Sequence, residues 1–399
     1  MTAANTLTSL RKVHYSKNIE TNLHDTLIMN DLAFDRSSEF PDGITFEVPQ
    51  LAYMQVSNYA GTLINKGVTS QKSTLTMDKV PIVTYTYDDV DILKDSWDVL
   101  ARTDTNSAYK LKQKMEGDFF GLYSSARYSA PSSAYSAVLS TSTAFSTVLD
   151  GVNTLVHAGV NPNEICIVGD AYLSGILAQQ AISSTFTLSD NSFQRGYIGN
   201  LPTVAGAMLY RNQNLTATTV LDLATQPTDG DTFTYNYVTF TLVTNIGTTA
   251  GNILIEVDAD TTANNIIQAL NAASTGVAGA GVGVKYVAIS QDNADFLTGL
   301  TCANVGTTVT FTSIHGYRPV SSAMNNASND FQAVYTYALI MGKDAISVAY
   351  RRGLQTDKRS ISTSLEYLYS NYLLWGQTVT VEGAKKMYTL RIMSQAAES

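Results

Sequence analysis

Charge is scarce in this chain. Only 15% of its 399 residues are Asp, Glu, Lys or Arg, against 44% hydrophobic, which is low for a soluble protein. A folded copy therefore carries much uncharged surface, which suits burial against neighbours, with Ser, Thr and Asn adding neutral solubility. Positive charge is scarcer still. The formal net charge is −9 and the basic residues are scattered, in small groups such as Arg351-Arg352 and Lys358-Arg359. A protein that grips nucleic acid gathers cations on one face to release counterions. That pattern is missing, which argues against tight, direct DNA binding but leaves room for a wall that merely contains DNA.

Cysteine is nearly absent: Cys166 and Cys302 lie far apart in apolar or small-residue surroundings and read as reduced, buried thiols rather than a disulfide. No run of about 18 apolar residues occurs, and the leader MTAANTLTSLRK lacks an apolar signal core. The expectation is a chain that is cytosolic when made and does not span a membrane. The four histidines, His14, His24, His157 and His315, share no local spacing and no cysteine partner, so they read as solvated or core residues rather than metal ligands. GxSxG, Walker and HExxH patterns are absent.

Three near-misses remain. Gly276-Val-Ala-Gly279-Ala-Gly281-Val-Gly283 could mimic a phosphate-cradling loop, but it does not join a strand to a helix within a βαβ unit and reads as a flexible turn. Asp258-Ala-Asp260-Thr-Thr262-Ala-Asn264 begins like a calcium loop. Its sixth position is Ala263 and its twelfth is Ala269, where Gly and Glu belong, so a helix cap is the better account. Asp88, Asp89 and Asp91 read as an acidic first turn opposing a helix dipole. No catalytic, cofactor-binding or metal-ligating residue is expected, and no enzyme.

What is present is organisation. The length suits two or three packed domains. Residues 1–43 form a polar leader in which Ile19, Leu23, Leu27 and Ile28 recur at helical spacing, ending at Pro41-Asp42-Gly43. Alternation predicts a strand over Ile44–Val48, stopped by Pro49, and a second over Ser73–Asp78 that continues past Pro81 to Tyr87. Few large apolar residues lie between, so this extended hairpin must lean on something else. Asp88 and Asp89 cap a long amphipathic helix over 90–125, with Val90, Leu93, Trp97, Ala101, Ala108, Leu111, Met115, Phe119 and Leu122 in step and one gap near Asp104-Thr105.

An α/β stretch follows a Ser/Ala/Tyr-rich loop at 127–142. It comprises a helix carrying Phe145 to Val156, ended by Gly159 and Pro162, a buried strand Glu164–Val168, a helix Ala171–Ala181, and a strand near Val204–Tyr210. From about Leu215 to 328 the composition turns to Thr, Gly, Asn and Val. Strands are predicted at Thr232–Val243 and Thr307–Ser313, with one helix at Ala263–Ala273. From Phe331 the α/β character resumes with Tyr335–Ile340, the mark of one domain inserted in another. Two strand-like runs, Ala345–Arg351 and Ile361–Leu374, are joined by a charged turn Gln355–Arg359; Trp375-Gly376 and a strand Thr378–Val381 follow.

This order resembles the HK97-like fold of tailed-phage major capsid proteins. Gly43-Ile-Thr-Phe-Glu-Val-Pro49 looks like the first strand of the family's extended E-loop. Tyr87-Asp88-Asp89-Val90-Asp91 looks like the start of its spine helix, and Glu116-Gly-Asp118-Phe-Phe like its end. Ala158-Gly-Val-Asn-Pro162 and Arg195-Gly-Tyr-Ile-Gly199 are similar to the A-domain, Lys343-Asp-Ala-Ile-Ser347 and Tyr372-Leu-Leu-Trp-Gly376 to the return through the P-domain. The resemblance covers nearly all of 17–395 except the 217–328 insert.

It implies an α+β chain divided into an N-terminal arm (1–43), an extended E-loop hairpin (44–87), a P-domain spine helix (88–126) and a first A-domain part (127–216). An inserted β-rich domain (217–328), an A-domain return (329–344), a P-domain hairpin (345–375) and a C-terminal A/P-domain segment (376–399) complete it. The implied function is a non-enzymatic shell subunit. It would self-associate into hexamers and pentamers around packaged double-stranded DNA, which it contacts weakly. Implied partners are a separate scaffolding protein, a portal and a decoration protein, with the virion shell as destination and the host cytoplasm as the place of assembly. Some members crosslink an E-loop lysine to a neighbour's asparagine. Lys66 and Lys72 lie in that region but read as solubilising. A tail-tube or fibre protein is the nearest alternative, disfavoured by the long helix; an enzyme is the more distant one.

Overall fold

The computed structural model describes residues 27–39, 44–51, 70–88, 99–129, 143–183, 203–204, 207–273, 285–326, 328–360 and 366–395. In chain order its strands are β1 (Phe34–Asp35), β2 (Thr45–Leu51), β3 (Ser70–Thr76), β4 (Ile82–Asp88), β5 (Tyr128–Ser129), β6 (Ile165–Gly169) and β7 (Thr203–Val204). Then come β8 (Ala207–Arg211), β9 (Ala217–Asp222), β10 (Thr232–Tyr235), β11 (Val238–Val243), β12 (Asn252–Leu254) and β13 (Leu300–Val305). The last are β14 (Thr308–Ser313), β15 (Pro319–Ala323), β16 (Val334–Gly342), β17 (Ile346–Ser360), β18 (Glu366–Val379) and β19 (Met387–Gln395). The main helices are Val99–Phe120, Ala144–His157, Ala171–Ser183 and Ala259–Ala273.

A large sheet organises the parent body. β16 lies between β19 on one side and β6 and β9 on the other, and β8 and β7 extend the β6 side. β6 reads as an unbroken apolar run because both its faces are covered. Ile165 and Ile167 meet the helices Ala144–His157 and Ala171–Ser183, together with Ala338, Ile340 and Leu390. Cys166 and Val168 face the opposite core, where Leu111, Met115, Phe119 and Phe120 of the long helix pack with Ile28, Met29, Leu32, Ile346, Val348 and Trp375. Helical spacing of the long helix's apolar residues is what brings them to that side. Gly159, at φ +93, ends the helix Ala144–His157 as the sequence predicts.

Residues 221–331 carry a core of their own, centred on Phe233, Tyr235, Phe240, Phe311 and Phe331, and covered by Ile266 and Leu270 of the helix Ala259–Ala273. Its four-stranded sheet runs β12-β11-β10-β15, while β9, β14 and β13 prolong the large sheet beyond β16. The two ends of the segment lie side by side: Thr218 and Ala217 pair with Tyr335 and Thr336. The edge at β13 is closed by Asn271, whose side-chain amide both donates to the Cys302 carbonyl and accepts from its N–H, at 3.0 and 2.8 Å.

Several sequence readings need correction. Pro49 does not stop its strand: β2 runs through it to Leu51, and Pro49 sits opposite Lys72 in a two-stranded ribbon, where a missing donor is tolerated. The run from Ser73 to Tyr87 is two strands in two sheets, β3 beside β2 and β4 beside β18. Asp88 ends β4 instead of capping a helix, and the described part of the long helix is Val99–Phe120; Asp89 and Asp91 lie outside the described residues. Thr232–Val243 is a hairpin, because Asn236 and Tyr237, at φ 44 and 73, form its turn. Gln355–Arg359 lies within β17, paired with β18 from Tyr372 to Leu368, rather than in a turn. β18 stops at Val379, and Thr380 caps a short helix Val381–Lys385 by accepting from the Gly383 N–H at 2.9 Å.

Candidate assembly surface

Among the described residues no group of three His, Cys, Asp or Glu side chains could hold a metal, and no helix is long and apolar enough to cross a membrane. Asp258 accepts from the Thr261 N–H at 2.7 Å and its hydroxyl at 2.6 Å, the geometry of a helix cap. Those bonds, the hydroxyl's first, hold its carboxyl below the usual range. Cys166 and Cys302 are free and buried, and burial pushes both thiols up, which disfavours thiolate chemistry. His315 is buried; His157 is an exposed residue at the end of its helix. His14, His24, Lys66 and the glycines from 276 to 283 lie outside the described residues.

The chemistry the fold offers is anchorage of extended parts. Among the described side chains of the β2–β3 ribbon the buried ones are Val48 and Leu75, with Met77 just beyond; Leu75 and Met77 pack on Ala349. The outer half of β3 is polar, Ser70-Gln71-Lys72, and Lys72 pairs with Glu47 at 2.6 Å in an exposed contact worth at most about 1 kcal/mol. The root of the ribbon is held by a close crossing. A Cβ on Gly376 would stand 2.0 Å from the Thr76 carbonyl oxygen, so only glycine lets β3 pass over β18 there. Just beyond, Lys79 pairs with Trp375 through the backbone, lies over its ring at 5.4 Å and reaches Asp118 at 3.4 Å. Ile44, Val80 and Ile82, at 53, 55 and 56% exposure, leave apolar surface around this root.

The sheet β4-β18-β17 is fixed to the long helix by Asp104. Its carboxylate accepts from the Tyr85 hydroxyl and, at 3.0 Å, from the Asn371 side chain, which in turn accepts from Thr356 at 2.7 Å. Burial, then the bond to Asp104, pushes the Tyr85 hydroxyl well above its usual pKa. Tyr85 stacks on Tyr369 at 5.4 Å, and Lys358 lies 3.8 Å over Tyr367. Sequence reading missed this anchor. The gap it noted near Asp104 in an otherwise apolar helical stripe was the available signal: a polar residue in phase with a buried face needs a partner.

A second tie joins the segment with its own core to the parent body. Arg318 donates to Asp170 at 2.7 Å, while the other carboxylate oxygen of Asp170 accepts from the Leu173 N–H at the start of the helix Ala171–Ser183. Beside it, His315 packs on the long helix, where Gly117 leaves room for the Ile314 carbonyl and the imidazole.

No protein-family profile matches the chain, and no curated protein matches it. Solved structures do. A chain of Mycobacterium phage Che8 superposes with a TM-score of 0.55 at 10% identity, over 96% of this chain and 97% of that one. The capsid of Cyanophage P-SCSP1u gives 0.54 at 10% identity, over 98% and 94%. The mature capsid of bacteriophage PhiM1 gives 0.50 at 9% identity, over 95% and 91%. The mixed α+β chain therefore shares its fold with solved phage capsid structures over 95–98% of its length.

Proposed function

We propose that this chain is the major capsid protein of a tailed bacteriophage. Its copies self-associate into hexamers and pentamers that form an icosahedral head around double-stranded DNA, and it performs no catalysis. The observation that carries this reading is the end-to-end likeness to solved phage capsid structures, with nearly all of both chains covered. The exposed apolar residues Ile44, Val80 and Ile82, beside the β2–β3 ribbon, support a neighbour covering that region.

In this reading residues 1–43 are the arm, 44–87 the E-loop and its root, and 88–126 with 345–375 the P-domain. The A-domain comprises 127–216 and 329–344, and 217–328 is an insert on the outer face, where added mass meets least crowding. Interfaces of permanent assemblies commonly bury roughly 2,000 Å² or more, so many modest contacts sum to a strong shell. DNA is enclosed with weak contact, a reading that the net charge of −9 and the scattered basic residues support. A separate scaffolding protein nucleates assembly, and a portal and a decoration protein complete the particle. Sedimentation velocity on the chain alone and co-produced with a nucleator tests this. Uniform shell-sized particles are expected only with the nucleator. A species that stays monomeric in both conditions overturns the reading.

A further inference from the structure

We infer that Glu116 is a relay that couples docking of the N-terminal segment 28–39 to the chain crossing at 212–215, the root from which the second core departs. The inference stands on side-chain geometry and does not depend on the shell reading.

Glu116 is fully buried in the long helix. One carboxylate oxygen accepts from the Ile28 and Met29 N–H groups at 2.5 and 3.1 Å. The other accepts from the Asn214 side-chain amide at 2.8 Å. Asn214 is itself held from two further sides, by Gln113 donating to its side-chain oxygen at 3.1 Å and by its own N–H donating to Asn212 at 2.5 Å. Asn212 closes the circuit through its N–H to the Gly169 carbonyl at 2.9 Å, at the end of β6. Leu215, the next residue outward, packs in the same core as Ile28, Met29 and Leu32.

Among the described residues no ion pair reaches Glu116. Its charge rests on three N–H donors, two from the N-terminal segment and one from the crossing. A buried carboxylate is costly unless its hydrogen bonds are complete. If residues 28–29 lift away, two of the three donors go with them, and Asn214 alone cannot hold the charge in an apolar core. The carboxylate must then admit water or turn out, and either motion releases Asn214. Loss of Asn214 loosens the N-terminal segment by the same route in reverse, because coupling between two sites is reciprocal.

Amide hydrogen exchange of the full chain reads this directly. Asn214→Ala disturbs the crossing, and Arg36→Ala the docked segment, where Arg36 donates to Ser347 at 3.1 Å and pairs with Glu39, apart from the core that Leu215 shares with Leu32. Asn214→Ala is expected to speed exchange at 28–32 about tenfold, the loss of one hydrogen bond to a charged group. Arg36→Ala is expected to do the same at 212–216, with β16 protection unchanged in both. Acceleration confined to the mutated side, in any variant that keeps β16 protected, overturns the relay. Loss of β16 protection in both variants also overturns it, since the link would then be global stability rather than Glu116.

Discussion

At the scale of single residues, the closest packing sits where the chain crosses itself. Gly376 has no room for a methyl group beneath the Thr76 carbonyl, whereas nothing lies within 4 Å of where a Cβ on Gly121 would stand. Gly376→Ala should cost about 3 kcal/mol or more, by forcing β3 off β18, and Gly121→Ala close to nothing, as urea unfolding would show. His315 makes a second residue-level prediction. Burial, reinforced by Lys114 and Lys110, pushes its pKa down to about 3 from 6.5. Between those values the unfolded chain takes up a proton that the folded chain refuses. Its neutral burial is therefore fully tolerated above about pH 6.5, and stability drains as pH falls toward 3. Near pH 4.5 the loss is on the order of 2–3 kcal/mol relative to neutral pH. His315→Gln should flatten that part of the pH dependence, leaving only the slope from carboxylates, and an unchanged slope would contradict the assignment. Residues of this kind were poorly legible in the sequence. His315, Glu116 and Asp104 are each defined by partners about 20 to 270 positions away, and only Asp104 left a trace, as a break in an apolar stripe.

At the scale of elements, the second core has a sharp boundary requirement. Phe331 is buried with ring centroids 5.5 Å from Phe311 and 6.2 Å from Phe233, and Asn329 bonds Thr225 through its N–H, its hydroxyl and its carbonyl. A fragment 214–333 should unfold cooperatively with dispersed amide resonances. A fragment 215–328, which ends before both residues, should lose about 3–5 kcal/mol and the cooperativity with it. Equal stability of the two fragments would count against this account of the core. Elements were legible where burial was one-sided or complete: Ala144–His157 by its helical spacing and β6 by its apolar run. They were misread where two strands meet without glycine. Alternation resumes after Asn236-Tyr237 almost in phase, so the β10–β11 hairpin read as the single strand Thr232–Val243. Charged residues at Gln355–Arg359 looked like a turn because that part of β17 is largely exposed. β19 had no reading at all, although it is the long partner of β16.

At the scale of the whole molecule, the arrangement is a two-faced sheet with extended parts fixed at their roots by a few specific contacts. These are Gly376 and Lys79 under the ribbon, Asp104 under the β4-β18-β17 sheet, Glu116 under the N-terminal segment, and Arg318–Asp170 beside the second core. Such a design leaves Ile44, Val80 and Ile82 exposed around the root of the ribbon, the surface that the proposed shell would cover. The order of segments made the family resemblance visible, while the strand pairing that unites residues 217–218 with 335–336 was not visible in the order alone. The most direct test is electron microscopy, in negative stain, of particles purified after co-production with a nucleator. The account predicts closed icosahedral shells whose faces resolve into rings of six copies, with rings of five at the vertices. Helical tubes, fibres or unassembled single molecules would contradict it.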